Sequence, residues 1–405
     1  MTDQSYLVET LMPADPDAVA DAVRAAGEKG LAVYPIGGGT RKGDGPHLCE
    51  APEGPFRQMG SIPFSPRPGL GLSTAKLNRV IDYPADDMTV TVEAGLTVGE
   101  LNRLLAENHQ WLPVDVPWPD RATVGGAIAA NAAGPRQYAY GTIRDYLLGF
   151  TAVDGTGTIF SGGGRVVKNA AGYNMCRLMA GSLGTLGVLT QVTLMVRPLP
   201  ETAALLACDV RDFELAECLL ANLVRSPVRP VAVELSAGRS RENNPLFGPV
   251  LEGNVGRLYV GFEGPAAEVE WMLGRLREDW TAAGMISPML LPELADDRFW
   301  QWMSEFPADS QIDVLPSQTV ETIAEVLKSA PDCAIQAHAG DGVILASGIN
   351  NRWQHQRLAP DGTSAHGCGD TPAQRITRAL KDRFDPQNLL NPGRLFDEQP
   401  TEAPA

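Results

Sequence analysis

The chain has 405 residues, and its 33 Lys and Arg against 49 Asp and Glu give a formal net charge of −16. This negative charge repels nucleic acid and anionic membrane surfaces on average, which argues against either as the principal partner. Apolar residues make up 44% of the chain and charged residues 20%, which is typical of a globular protein, and the length suits two domains.

No targeting or metal-binding segment stands out. The start, MTDQSYLVET, is acidic and has no apolar run, and the longest uncharged stretch, 178–196, contains too many glycines and threonines for a membrane span. The six cysteines are scattered without a CxxC pair, which argues against structural zinc or an iron–sulfur cluster in this chain. We therefore expect a cytoplasmic protein with reduced thiols and no transmembrane segment.

Residues 1–200 are predicted to alternate helices and strands. Asp15 before Pro16 begins a helix over 16–28, which Gly30 ends, and a short strand follows over 31–35. A strand over 89–94 precedes a helix that begins with the capping box of Thr97 and Glu100 and runs to residue 108. The segments 147–153 and 158–160 form a hairpin, and a buried strand covers 187–196.

After residue 200 the pattern changes. Strands are predicted over 203–210, 231–235 and 257–262, with helices over 213–224 and 266–283. This order predicts a ferredoxin-like antiparallel sheet with helices on one face. We assign 1–200 to a first domain and 201–350 to a second, and expect 351–405, with a helix over 373–384, to return to the first.

The segment YPIGGGT, residues 34–40, follows a predicted strand. Three successive glycines allow backbone N–H groups to converge on one phosphate, because no side chain intervenes. Arg41 and Lys42 add positive charge directly afterwards. The alternative is an ordinary glycine-rich turn. The segment is neither a Walker A loop nor a GxGxxG fingerprint, and neither motif occurs elsewhere in the chain.

Three more segments are rich in glycine and small residues, namely RATVGGAIAANAAG (121–134), YGTIRD (140–145) and GSLGTLGV (181–188). Small side chains allow a flat ligand or another backbone to approach closely. For 121–134, a tightly packed helix start is the alternative interpretation.

The four loops in this order resemble the vanillyl-alcohol-oxidase, or PCMH, type of FAD-binding proteins, and within that family the FAD-binding E subunits of glycolate oxidases. The resemblance covers 1–200 and the C-terminal sixty residues or so, but 201–330 only in general architecture. It implies an α+β fold in which FAD lies between two α/β subdomains and an antiparallel, ferredoxin-like cap covers the flavin. The segments that carry it are IGGGT, DVPWPDRATVGGAIAANAAG, YGTIRDYLLG, KNAAGYNMCRLMAGSLGTLGVLT and FDPQNLLNPGR.

The resemblance also implies cofactor contacts. The first loop has Thr40 and Arg41 where covalent relatives often carry a His, so we expect non-covalent FAD. The pyrophosphate would be bound by Gly37, Gly38, Gly39 and Thr40; the ribityl and flavin side would be lined by Asp115, Thr123, Gly125, Gly126 and Asn131; Gly141 and Thr142 would lie beside the diphosphate and ring edge, and Val188 at the adenine end.

Two C-terminal motifs that supply a metal or carboxylate site in catalytic relatives are incomplete here. The segments are HAGDGVIL (338–345) and SAHGCG (364–369), so Leu345 replaces a His and Ala365 a Glu. One remaining ligand does not hold a divalent metal, and we predict none. His366 is the candidate catalytic base, with a merely structural His at the flavin wall as the alternative, and we expect His338 to be structural.

Other residues carry weaker indications. Lys168 and Tyr173 are candidate flavin contacts or ordinary loop residues, and Arg394 is a candidate flavin or inter-domain contact. The helical spacing of Phe299, Trp300, Trp302 and Phe306 indicates a core or a subunit interface.

The function that the resemblance implies is that of a subunit. The chain would bind FAD in a glycolate oxidase complex that converts glycolate to glyoxylate, with a larger flavin subunit as the main site of oxidation and an iron–sulfur subunit as electron acceptor. Such partners would also allow peripheral attachment at the inner membrane. The alternatives are a stand-alone FAD-dependent hydroxy-acid oxidase and an assembly subunit without flavin.

Overall fold

The computed structural model describes residues 6–40, 67–164, 173–239, 250, 252–282, 289–290, 297–349 and 372–394. The strands are β1 (Leu7–Leu11), β2 (Ala32–Ile36), β3 (Gly69–Ser73), β4 (Val80–Asp82), β5 (Thr89–Glu93), β6 (Gln110–Trp111), β7 (Leu147–Val153), β8 (Ile159–Gly163), β9 (Val188–Met195), β10 (Arg197–Pro198), β11 (Thr202–Val210), β12 (Ala232–Gly238), β13 (Gly256–Gly264), β14 (Met289–Leu290), β15 (Ser310–Asp313), β16 (Ala334–His338) and β17 (Val343–Ser347). The helices are α1 (Pro16–Glu28), α2 (Val98–Ala106), α3 (Val124–Ala129), α4 (Gln137–Tyr140), α5 (Ile143–Tyr146), α6 (Met175–Met179), α7 (Phe213–Arg225), α8 (Ala266–Ala282), α9 (Asp297–Ser304), α10 (Thr319–Ser329) and α11 (Pro372–Phe384).

The first subdomain is a parallel sheet in the order β1-β3-β2, with α1 packed against it. The predicted start of α1 is confirmed, because the Asp15 carboxylate accepts the Ala18 N–H at 2.8 Å and Pro16 is the first helical residue. The helix buries Val19, Val23 and neighbouring alanines, so its apolar face supplies much of this subdomain's core.

The second subdomain is an antiparallel sheet in the order β4-β5-β9-β7-β8. The predicted hairpin is confirmed, since β7 pairs with β8 from Gly149 opposite Gly163 to Val153 opposite Ile159. The capping box at the start of α2 is also confirmed, because the Glu100 N–H donates to the Thr97 hydroxyl and the Glu100 carboxylate accepts the Thr97 N–H.

The third sheet has seven strands in the order β14-β11-β13-β12-β16-β17-β15. Helices α7, α8 and α10 bury their apolar residues against one face, as the sequence predicts. Helix α9 lies on the opposite face, where it packs Phe299, Trp300 and Met303 against Leu205 and Tyr259. We call this sheet with its four helices the cap.

The C-terminal segment packs against the first two subdomains. The Leu389 carbonyl accepts the Val33 N–H at 2.7 Å and the Asn391 N–H donates to the Val33 carbonyl at 3.0 Å, so the segment extends the parallel sheet beside β2. Lys381 and Asp385 form a buried pair at 2.5 Å. Among the described residues, no helix is both long and apolar enough to cross a bilayer.

Candidate cofactor cleft and the buried polar contact with the cap

A cleft opens where the two subdomains meet. Its wall is built by the loop after β2, the start of α3, the loop before β9 and the segment after α11. Most lining residues are glycine, alanine or small polar residues, and the others are mainly apolar, such as Ile36, Leu183 and Leu189. The small residues allow a flat or extended ligand to contact main-chain groups directly. The predicted contacts that line it are Gly37, Gly38, Gly39, Thr40, Thr123, Gly125, Gly126 and Val188.

The loop after β2 presents main-chain donors to this cleft. Among the described residues, the backbone N–H groups of 37–40 donate no hydrogen bond, whereas Thr74 already binds the preceding carbonyl of Ile36. Main-chain N–H groups without internal acceptors, on a glycine loop that lines the cleft, suit a phosphate. A Cβ on Gly38 would collide with the Arg121 carbonyl oxygen, and one on Gly37 with the Thr123 hydroxyl. The glycines therefore also allow two loops to touch.

The start of α3 forms the opposite side of that contact. Thr123 caps the helix by accepting the Gly126 N–H at 3.2 Å, and Gly125 donates its N–H to the Ala94 carbonyl at 2.7 Å. A Cβ on Gly125 would lie 2.7 Å from the Ala94 Cβ. These two glycine amides are thus engaged within the protein, and the glycines provide close packing rather than donors for a ligand.

The loop before β9 is held from two sides. Its Gly181 and Leu183 N–H groups donate to carbonyls of α3 at 3.0 and 2.8 Å. From the C-terminal segment, the Asn391 amide donates to the Leu183 carbonyl at 2.8 Å and Lys381 Nζ donates to the Thr185 carbonyl at 2.9 Å. This loop leads directly into Val188, and its position depends on residues about two hundred positions later.

Four predicted cofactor contacts lie away from the described lining. The Asp115 carboxylate binds Arg136, and Asn131 accepts the Thr142 hydroxyl at 3.1 Å. The Gly141 N–H donates to the Gln137 carbonyl at 2.8 Å and the Thr142 N–H to Asp145 at 3.0 Å. The amides of Gly141 and Thr142 are therefore engaged internally, and the cofactor roles of all four residues stay predictions.

A buried group of charged side chains joins the second subdomain to the cap. Arg136 contacts Asp115 at 2.6 Å and Glu263 of β13 at 3.0 Å, and the Tyr140 hydroxyl donates to Glu263 at 2.8 Å. The guanidinium also lies 4.6 Å from the centre of the Trp111 ring. Burial raises the pKa of Glu263, although Arg136 and the Tyr140 hydroxyl oppose this rise. The pKa of Tyr140 is also raised, mainly by burial and next by the negative charge of Glu263.

A second buried pair lies on the same face of the cap sheet. His338 Nδ1 is 2.8 Å from Glu234, its direct neighbour across β16 and β12. Burial by itself lowers the pKa of His338, but Glu234, together with Asp341 and Asp115, acts in the other direction and the pKa of His338 is raised. Burial also raises the pKa of Glu234. The sequence missed both groups, because only the pairing of distant strands and helices brings their members together.

Several candidates lie outside the described residues, namely Arg41, Lys42, Lys168 and His366. Tyr173 is described and is 96% exposed. Within the described ranges, no three His, Cys, Asp or Glu residues come together as metal ligands. The metal-free site remains a prediction, since the motif around His366 is not described.

The cleft fits FAD, because it offers N–H donors for a diphosphate and a narrow small-residue wall for an extended dinucleotide. The sequence of residues 58–163 matches the family profile described as FAD binding domain. Two solved structures of alkyldihydroxyacetonephosphate synthase superpose over 95% of this chain and 75% of theirs with TM-scores of 0.66 and 0.68, at 19% identity, which shows the same fold.

These observations define an FAD-binding oxidoreductase with a PCMH-type fold. The chain is similar in sequence to flavin subunits of glycolate oxidases and to hydroxy-acid dehydrogenases. It is 25% identical to glycolate oxidase subunit GlcD of Bacillus subtilis, over 97% of this chain and 90% of that one. It is 28% identical to glycolate oxidase subunit GlcE of Escherichia coli, over 79% of this chain and 85% of that one. It is 27% identical to D-2-hydroxyglutarate dehydrogenase of Xanthomonas citri, over 97% of this chain and 90% of that one.

Proposed function

We propose that this chain is the FAD-binding subunit of a complex that oxidises a 2-hydroxy acid, with glycolate as substrate and glyoxylate as product. The observation that carries the proposal is the glycine-rich cleft with its main-chain donors at 37–40. The facing wall, with Thr123, Gly125 and Gly126, lies within the residues 58–163 that match an FAD binding domain. The relatives support the substrate class, since their names include glycolate oxidase subunits and D-lactate and D-2-hydroxyglutarate dehydrogenases.

The reaction removes a hydride from the hydroxyl-bearing carbon and a proton from its hydroxyl, and a C=O bond forms. When bound, FAD accepts the hydride and passes two electrons onward. In this proposal His366 takes the hydroxyl proton if this chain turns over, since an imidazole near neutral pH suits a general base. The chain's glycine-rich loops hold the cofactor, and the FAD is non-covalent.

The cap supports this assignment by its position. The backbone N–H of Trp118, next to the cleft residues 116–117, donates to the Glu305 carboxylate directly after α9 at 3.1 Å. Asp115 is linked through Arg136 to Glu263 of β13. The cap is thus bonded to one edge of the cleft. We place the flavin ring at this edge, where the cap limits access of water.

The proposal assigns the main oxidation to a larger flavin subunit and the onward electron transfer to an iron–sulfur subunit. Leu345 and Ala365 support this, because they replace polar residues of the motifs in catalytic relatives. Such partners would also place the chain in the cytoplasm or peripherally at the inner membrane.

The test is purification with and without the two partner subunits, followed by anaerobic addition of glycolate, D-lactate or D-2-hydroxyglutarate. We expect loss of the oxidised-flavin band at about 450 nm only when the larger subunit is present. Full bleaching of the isolated chain by glycolate would instead identify a stand-alone oxidase. A pure wild-type chain without any flavin band would indicate an assembly subunit and contradict the proposal.

A further inference from the structure

Arg394 enters the cleft through the parallel pairing of the C-terminal segment with β2. Leu390 lies opposite Val33, and the two segments run in the same direction. Four residues further along each segment are Arg394 and Gly37. Both line the cleft. The pairing therefore places the turn that carries Arg394 next to β2, the strand that leads into the glycine loop.

The local backbone fixes this approach. Asn391 has a φ of 43° and Gly393 a φ of 77°, so the chain turns sharply after the paired segment. The Arg394 N–H donates to the Asn391 carbonyl at 3.3 Å, and the Asn391 amide is bonded to Leu183. The turn is thus hydrogen-bonded to both β2 and the loop before β9. These bonds fix the backbone position of Arg394.

Arg394 differs from the other residues of the cleft lining in its charge. Among the described residues that line the cleft, Arg394 is the sole charged side chain. The whole chain carries a formal charge of −16. A diphosphate brings negative charge into an acidic protein, and neutral main-chain N–H groups alone do not balance it. A guanidinium presents planar, paired donors that match phosphate oxygens.

We propose that Arg394 binds the diphosphate of FAD together with the glycine loop, so that one diphosphate would contact both the main-chain donors of 37–40 and this guanidinium. The C-terminal segment then contributes a direct contact with the cofactor as well as packing. The inference concerns the cofactor alone and does not depend on the identity of the hydroxy acid or on partner subunits.

The test compares flavin binding by full-length wild-type, Arg394→Gln and Arg394→Lys proteins after removal of bound flavin. We expect Arg394→Gln to weaken FAD binding about 10- to 100-fold, as for loss of a charged hydrogen bond, with a smaller loss for Arg394→Lys. Riboflavin, which lacks phosphate, should bind wild-type and Arg394→Gln protein with affinities within about two-fold of each other. Arg67→Gln is the matched control, because it removes the same charge from an exposed arginine bonded to Asn388, outside the cleft lining.

A second measurement does not need riboflavin. The wild-type dissociation constant for FAD should rise with ionic strength, and this rise should be shallower in Arg394→Gln, because one charge pair is lost. Unchanged FAD affinity and salt dependence in Arg394→Gln, or an equal loss for riboflavin and FAD, overturns the proposal. Failure of wild-type protein to bind FAD would overturn the cofactor assignment itself, which is a separate result.

Discussion

The cofactor cleft and the contact with the cap are built from different kinds of residues. The cleft consists of glycines, small residues and main-chain donors that are close together in sequence within each loop. The contact with the cap consists of buried ionisable side chains, such as Arg136 and Glu263, from segments 127 residues apart. The cleft is therefore sensitive to added volume, whereas the contact with the cap is sensitive to lost charge.

The largest expected effect lies in the cleft. Gly38→Val should abolish flavin retention, with FAD affinity reduced by at least about 100-fold, because its Cβ would collide with the Arg121 carbonyl and force the two loops apart. The measurement is the flavin-to-protein absorbance ratio of the purified variant. Gly274→Val in α8 is the control, since nothing lies within 4 Å of its Cβ. Full flavin occupancy in Gly38→Val would contradict the role of this loop.

Loss of the buried charge of Lys381 should have the next largest effect. Lys381→Met leaves Asp385 buried without its cation, and we expect about 3–5 kcal/mol lower free energy of unfolding. Urea denaturation of wild type and variant measures this. Arg103→Met is the control, because its ion pair with Asp120 is exposed and should contribute about 1 kcal/mol or less. Equal effects in both variants would show that the buried pair of Lys381 and Asp385 stabilises the protein no more than an exposed ion pair.

The contact with the cap should respond to a change of geometry without loss of charge. Arg136→Lys keeps the positive charge but cannot reach Asp115 and Glu263 with one planar fork, so we expect a loss of about 1.5–3 kcal/mol. Arg211→Lys, in an exposed pair with Asp212, is the matched control. An Arg136→Lys protein as stable as wild type would mean that the cap is held by its apolar contacts alone.

The smallest expected effect is a pH dependence. The folded pKa of His338 is raised, so its contribution to stability is complete below the ordinary value of about 6.5 and is lost as the pH rises through the folded value. Glu234→Gln removes the charge that raises this pKa, and Asp341 and Asp115 are weaker contributors. Urea midpoints between pH 6 and about 9 should therefore fall less steeply in the variant. Parallel curves would assign the dependence to other groups.

Much of the fold was predictable because its signals are local. The capping residues Asp15 and Thr97 define helix starts, and the turn between β7 and β8 follows from Asp154 and two glycines. Strand β3 was missed, since its sequence GLGLS has low strand propensity and is strand only through pairing on both sides with β1 and β2. Helix α9 was predicted from its aromatic spacing, but not the face of the sheet that it covers.

The candidate site divides in the same way. Residues 37–40 stand out in the sequence because consecutive glycines are unusual after a strand. Asp115 was singled out by resemblance, yet its partner Arg136 was not, because nothing in their separation of 21 residues predicts a buried ion pair. Glu234 and His338 become neighbours only when β12 and β16 pair. Tertiary pairing, which single-sequence patterns do not reveal, decides these contacts.

The C-terminal extension of the first sheet has a consequence for biosynthesis. Val33 emerges early from the ribosome, but its partners Leu389 and Asn391 are translated more than 350 residues later. The cap strands between Thr202 and Ser347 are complete before then and are free to pair on the growing chain. The cofactor cleft is therefore complete only after the segment following α11 has been translated. A prematurely terminated product would lack that wall of the cleft.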